Sequence, residues 1–189
     1  MDLESFRYQF RKHFKELPKI CLLGIRDYVD GSQHEKVPNN IYDDAIVSHV
    51  DGAIKIFTAS VDPGKYFINH PMNPQGCARL KCGLWTYQIG EHHAHKALVQ
   101  AEEVGVDRLD KQGKRVSEEH GWFGINLHAG GPEYLVGRYS AGCQVIKCKE
   151  TWKDEWLDFF TPIKVGVEFY GQKRIPYLLV DRLEAIPAE

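Results

Sequence analysis

The sequence is short of several things, and each shortage narrows the field. No apolar run approaches the ~18 residues that a membrane-spanning helix needs. No basic stretch is interleaved with aromatics: 24 Lys and Arg stand against 26 Asp and Glu, for a net charge of −2, so nucleic acid is not expected as a partner. The one basic cluster, Arg7, Arg11, Lys12 and Lys15, is interrupted by Glu4 and Glu16 and reads as a solvated helix face. A secretory leader is not expected either, since Met1 to Leu17 is charged throughout and has no apolar core of about seven residues. The 5 cysteines are an odd number, so at least one thiol is unpaired within the chain, and no disulfide scaffold is indicated. There is no internal repeat, no low-complexity segment, no clear domain boundary and no βαβ alternation. A single domain over 1–189 is expected, with a core large enough to need no staples.

What is present is mostly short strand signals. Leu3, Phe6, Phe10, Phe14 and Leu17 recur at helical spacing and predict an amphipathic helix over 2–16, within an N-terminal segment 2–17, capped by Asp2 and stopped before Pro18. Ile20 to Ile25 is a short apolar run followed by a polar loop, Asp27 to Asn40. Ala45–Val50 and Ala53–Ala59 flank Asp51-Gly52, which supplies the positive φ angles of a type I′ hairpin. Residues 60–83 read as loop, Leu84–Ile89 and Lys96–Ala101 as strands, and Asp110–Gly113 as a charged turn. Trp122 to His128 alternates, which predicts a half-buried strand with Asn126 and His128 on one side. Thr151 with Asp154 resembles a capping box for a helix carrying Trp152, Trp156, Leu157 and Phe160 and closed by Pro162. A final hairpin, Ile163–Phe169 and Arg174–Val180, is predicted around Gly171, with Pro176 marking an edge strand. The fold class is therefore mainly β, with an N-terminal helix and a helix near residue 156.

One stretch carries chemistry. Gly124-Ile-Asn-Leu-His128 leads through a Gly-rich loop, Ala129-Gly-Gly-Pro132, to Ser140-Ala-Gly-Cys143. A thiol attacks as its thiolate, and a nearby imidazole can take the proton. Small residues before the cysteine let a substrate carbonyl approach backbone N–H groups that cradle an oxyanion. Cys143 as nucleophile, His128 as base and Gly142 at the oxyanion site meet those needs.

A strand-end His, a loop and Ser-x-Gly-Cys resemble the L,D-transpeptidase catalytic domain, the YkuD-like family, over roughly residues 120–180. The resemblance implies a YkuD-like sandwich or curled sheet over about 20–183, with a helix after the nucleophile. It implies Cys143-dependent acyl transfer on peptidoglycan stem peptides, by transpeptidation or by hydrolysis, with a backbone carbonyl orienting His128. Ser140 would shape the turn, and Ser140, Arg138, Asn126 and His93 would lie on the substrate side. Two positions depart from the family: Ala141 replaces its usual His, and Val145 replaces its usual Arg. Arg138 is the expected substitute for that Arg. Since a wall enzyme must reach the periplasm or cell wall, a phage or secreted-effector context, delivered without a cleaved signal, is expected. The alternative is a non-catalytic wall-binding or interaction module on the same scaffold.

No cofactor and no metal is expected. His92, His93 and His95 follow Cys77 and Cys82 at spacings that match no closed zinc template; they read as a cleft wall or a solvated loop. Cys148 reads as structural.

Overall fold

The apolar run at 20–25 is strand β1 (Ile20–Ile25) of the computed structural model, which describes residues 1–28, 38–150 and 153–187. Every residue of β1 is buried because both of its faces are covered. Ile20 and Leu22 share an interior cluster with Ile46, Leu98 and Tyr177, whereas Cys21, Leu23 and Ile25 meet Phe6 and Phe10 of helix α1 (Leu3–Phe10). A strand covered on both sides reads as an unbroken apolar run rather than an alternating one.

The other strands are β2 (Asp44–Val50), β3 (Ala53–Ser60), β4 (Cys77–Leu80), β5 (Gly83–His92), β6 (His95–Gln100), β7 (Val104–Leu109), β8 (Arg115–Gly121), β9 (Leu127–Ala129), β10 (Gln144–Ile146) and β11 (Ile175–Val180). Eight of them close into a barrel, in the order β1-β11-β5-β6-β9-β10-β3-β2. The pairs β1–β11 and β9–β10 are parallel, and the other barrel pairs are antiparallel. A separate antiparallel sheet runs β4-β7-β8. The fold is mainly β, as expected, and the larger sheet closes on itself. Closure is made by the short β9–β10 pair, which joins β6 to β3. The β2–β3 hairpin turns at Asp51 and Gly52 with φ of +48° and +92°, the primed turn the sequence predicts.

Several expectations need correction. Helix α1 is capped as expected, with Asp2 Oδ1 accepting from Ser5 N–H at 2.8 Å, but it ends at Phe10 rather than near 16. Phe14 and Leu17 still pack on the same cluster from beyond its end. Of the alternating stretch only Leu127 and His128 pair as a strand, in β9 (Leu127–Ala129). The loop-like region 60–83 contains a short helix α2 (Lys65–Asn69) and β4. Pro162 does not close a helix, and no hairpin follows it: α3 (Glu155–Tyr170) runs straight through. Residues 163–169 carry two rival periodicities. The helical one prevails because Trp156, Phe159, Phe160, Ile163 and Gly166 form one buried stripe, while Val165 and Phe169 are left exposed. Pro176 is not at an edge, because β11 lies between β1 and β5. Thr86, its β5 partner, gives its carbonyl to Ala101, so the missing Pro176 N–H faces β1, where pairing begins only at Tyr177. Residues 29–37 of the polar loop, Thr151 of the expected capping box and Trp152 of the helix expected after it lie outside the described residues.

Candidate active site

The turn before β10 is built by Ser140. Its hydroxyl donates to the Cys143 carbonyl at 2.7 Å and accepts the Gly142 N–H at 3.2 Å. Ser140 itself is fully buried, so its part is to shape the turn. Gly142 sits at φ +132°, and a Cβ there would lie 2.7 Å from the Ala78 carbonyl oxygen. The turn is anchored from behind, where Gly64 N–H donates to the Ser140 carbonyl at 2.9 Å. These constraints present Cys143 at the floor of a cleft of about 870 Å³, lined by His92, His93, Asn126, His128, Arg138 and Tyr139 among others.

Asn126 and His128 do face this cleft together, as the alternation predicts. Asn126 N–H donates to Cys143 Sγ at 3.4 Å, and Sγ lies 3.4 Å from the Gly124 carbonyl. The Asn126 side chain accepts from Gln100 N–H at 3.0 Å and turns its amide nitrogen to His92 Nδ1, also at 3.0 Å. His92 in turn stacks on His128, with ring centroids 4.6 Å apart. One donor atom from each of His92, His128 and Cys143 lies within 4.8 Å of the others.

His128 is held by its own strand. Nδ1 is 2.9 Å from the Ala129 carbonyl oxygen, and a carbonyl only accepts, so Nδ1 carries the proton and Nε2 the lone pair. That is the tautomer a general base needs. Burial lowers the His128 pKa to about 4, with His92 and His93 adding to the effect against the Ala129 hydrogen bond. Burial raises the Cys143 thiol to about 11, against the Asn126 N–H, which favours the thiolate. The resting pair is thus a neutral thiol beside a neutral imidazole.

A second Cys–His pair shows why geometry matters. Cys21 Sγ is 3.7 Å from His49 Nδ1, but His49 Nε2 accepts from Gly52 N–H at 3.0 Å, which puts the ring proton on Nδ1. His49 therefore donates toward the sulfur and cannot take its proton, and Phe6 of α1 stacks over it.

Arg138 lines the cleft with its guanidinium 3.9 Å from the centre of the Tyr66 ring. Val145 is fully buried against Tyr42 and Val136, which leaves no room there for an Arg. His93 reaches the cleft from the β5–β6 turn, where His93 and Ala94 both take positive φ, at +50° and +63°. Cys82 lies elsewhere, beside Arg26. Cys148 follows β10 and is buried in the barrel core.

Two residues with structural roles at the site escape the sequence reading. Gln100 accepts from Phe123 and Ile125 N–H and donates to the Glu102 and Gly121 carbonyls. It thereby fixes the segment that carries Gly124 and Asn126. Gln144 is fully buried and accepts from the Tyr177 hydroxyl at 3.0 Å. A glutamine at a strand end carries no periodic signal, so neither could be found from spacing. No protein-family model, curated protein or solved structure matches the chain.

Proposed function

We propose that the protein is a cysteine-dependent acyl-transfer enzyme of the L,D-transpeptidase kind, acting on peptidoglycan stem peptides. The observation that supports this most is a thiol and a correctly tautomerised imidazole converging at the floor of one cleft, the imidazole oriented by a backbone carbonyl. His128 Nε2 takes the Cys143 proton as Sγ attacks the stem-peptide carbonyl. In the ligand-free site the thiol faces the Gly124 carbonyl, and Sγ and Nε2 close to hydrogen-bond distance only with substrate in place, as is common for such sites. Gly142 N–H is already held by Ser140, so the Cys143 N–H is the donor that remains for the oxyanion. His128 then protonates the leaving amine, and the thioester passes to an amine or to water. Arg138 meets the substrate carboxylate from the rim, in the part the family gives to the residue at Val145.

The elevated thiol pKa gives weight to a second reading, a non-catalytic wall-binding module on the same scaffold. Incubation with a carbapenem followed by intact mass separates the two. Acyl transfer predicts one adduct, mapped to Cys143 and lost in Cys143→Ala. An unmodified mass would leave the binding module. Muropeptide profiles of digested sacculi would then give the reaction type.

A further inference from the structure

We propose that His92, His128 and Cys143 form a binding site for a thiophilic divalent cation of the zinc type, whose occupancy reversibly blocks the nucleophile. The binding stands on the geometry alone; the block rests on the acyl-transfer reading.

The three residues come from distant parts of the chain: the end of β5, β9, and the turn before β10. Folding brings one donor atom of each within 4.8 Å of the other two. Two imidazoles and a thiolate are a soft donor set, suited to zinc and its neighbours rather than to magnesium or calcium. No Asp or Glu lies among the described residues lining the cleft, so the site offers no carboxylate to a hard cation. Tetrahedral zinc with bonds near 2.0 Å to nitrogen and 2.3 Å to sulfur sets its ligands about 3.3–3.8 Å apart. The present separations, none above 4.8 Å, need to close by about 1.5 Å at most. His92 can supply that movement, being half-buried at the end of a strand beside a two-residue turn.

The outer shell fits as well. A metal-bound histidine commonly donates its other N–H to a carbonyl, which fixes the ring. His128 already does this through Nδ1 to Ala129, which directs Nε2 to the metal. His92 Nδ1 carries a lone pair that accepts the Asn126 amide N–H in the metal-free site, and it ligates by exchanging that contact for the cation. With three protein ligands, the fourth position opens on the cleft, where water or a substrate carboxylate can enter. Binding exchanges the Cys143 thiol proton for the metal: one S–H bond breaks, one S–metal bond forms, and one proton leaves to solvent.

The test uses the whole reduced chain and Co²⁺ as a spectroscopic stand-in for zinc. Titration is expected to give a sulfur-to-cobalt charge-transfer band in the near ultraviolet, saturating at one equivalent and displaced by Zn²⁺. The band should vanish in Cys143→Ser. His92→Ala, with its fold verified by circular dichroism, should bind at least tenfold more weakly. Equimolar Zn²⁺ should slow iodoacetamide alkylation at Cys143, read by peptide mass, at least tenfold; a chelator should reverse this and Mg²⁺ should not reproduce it. Absence of the band, or a band that survives in Cys143→Ser, overturns the proposal. Because alkylation needs no enzymatic turnover, a cobalt band without any carbapenem adduct would retire the acyl-transfer reading and leave the metal site standing. An adduct without a band would do the reverse.

Discussion

His128 is where burial and chemistry meet. A buried imidazole costs stability when it must be charged, and its pKa of about 4 lies below the usual value of 6.5. The folded state therefore binds the proton less readily than the unfolded chain does. Its contribution is fully present above pH 6.5 and is lost as pH falls from there toward 4. A shift of this size corresponds to about 3 kcal/mol. Denaturant midpoints measured between pH 7 and pH 4 should fall more steeply in the wild type than in His128→Gln. Equal slopes would show that His128 is not the group being titrated. The role proposed for His128 rests on its place at a strand end, ahead of Ser-x-Gly-Cys. Its tautomer could not, because the proton's position depends on which carbonyl the folded backbone sets against Nδ1. His92 was visible only as one of three clustered histidines. Its value lies in the ring stack and the Asn126 contact, both made across chain separations that spacing cannot register.

At the scale of elements, local signals succeeded where one interaction dominated and failed where two competed. The Asp51-Gly52 hairpin formed as read because its turn chemistry needs nothing from elsewhere. Helix α3 shows the opposite case. Residues 163–169 satisfy a strand period as well as a helix period, and Pro162 tips the local balance toward a break. The apolar stripe from Trp156 to Gly166 reverses that balance by packing on the barrel, where Gly166 lets the helix approach Ile20 and Val50 closely. Proline inside a helix removes one hydrogen bond, here to the Asp158 carbonyl, and crowds the preceding turn. Pro162→Ala should therefore stabilise the fold by about 1–3 kcal/mol, seen as a higher denaturation midpoint with unchanged circular dichroism. A lower midpoint would mean that the proline ring itself packs favourably.

At the scale of the molecule, the site is assembled where the barrel meets the three-stranded sheet. Asp62, beyond β3, accepts from Arg79 of β4 at 2.7 Å and from Arg26, beyond β1, at 3.2 Å. Burial pushes the Asp62 carboxyl up, but Arg79 and Arg26 more than offset it and hold the carboxyl below its ordinary value. Gln100 makes the second tie, from the end of β6 to the end of β8 and onward to Ile125. Gln100→Ala leaves buried donors and acceptors without partners, which should cost about 2–4 kcal/mol. It should also slow carbapenem acylation of Cys143, since Gly124 and Asn126 lose their anchor. Unchanged acylation in a variant destabilised to that extent would show that the thiol's setting does not depend on this tie.

The sequence by itself determined the mainly β class, the helix at the N-terminus, the β2–β3 hairpin and the residues of the Ser-x-Gly-Cys turn. Each of these follows from periodicity or turn chemistry within a few residues. Tertiary structure decided the rest. It closed the sheet into a barrel, carried α3 through its proline, fixed the His128 tautomer and brought His92 from β5 against a thiol some fifty residues away. Such outcomes depend on which surfaces are buried together, and burial is a property of the folded chain rather than of any local stretch.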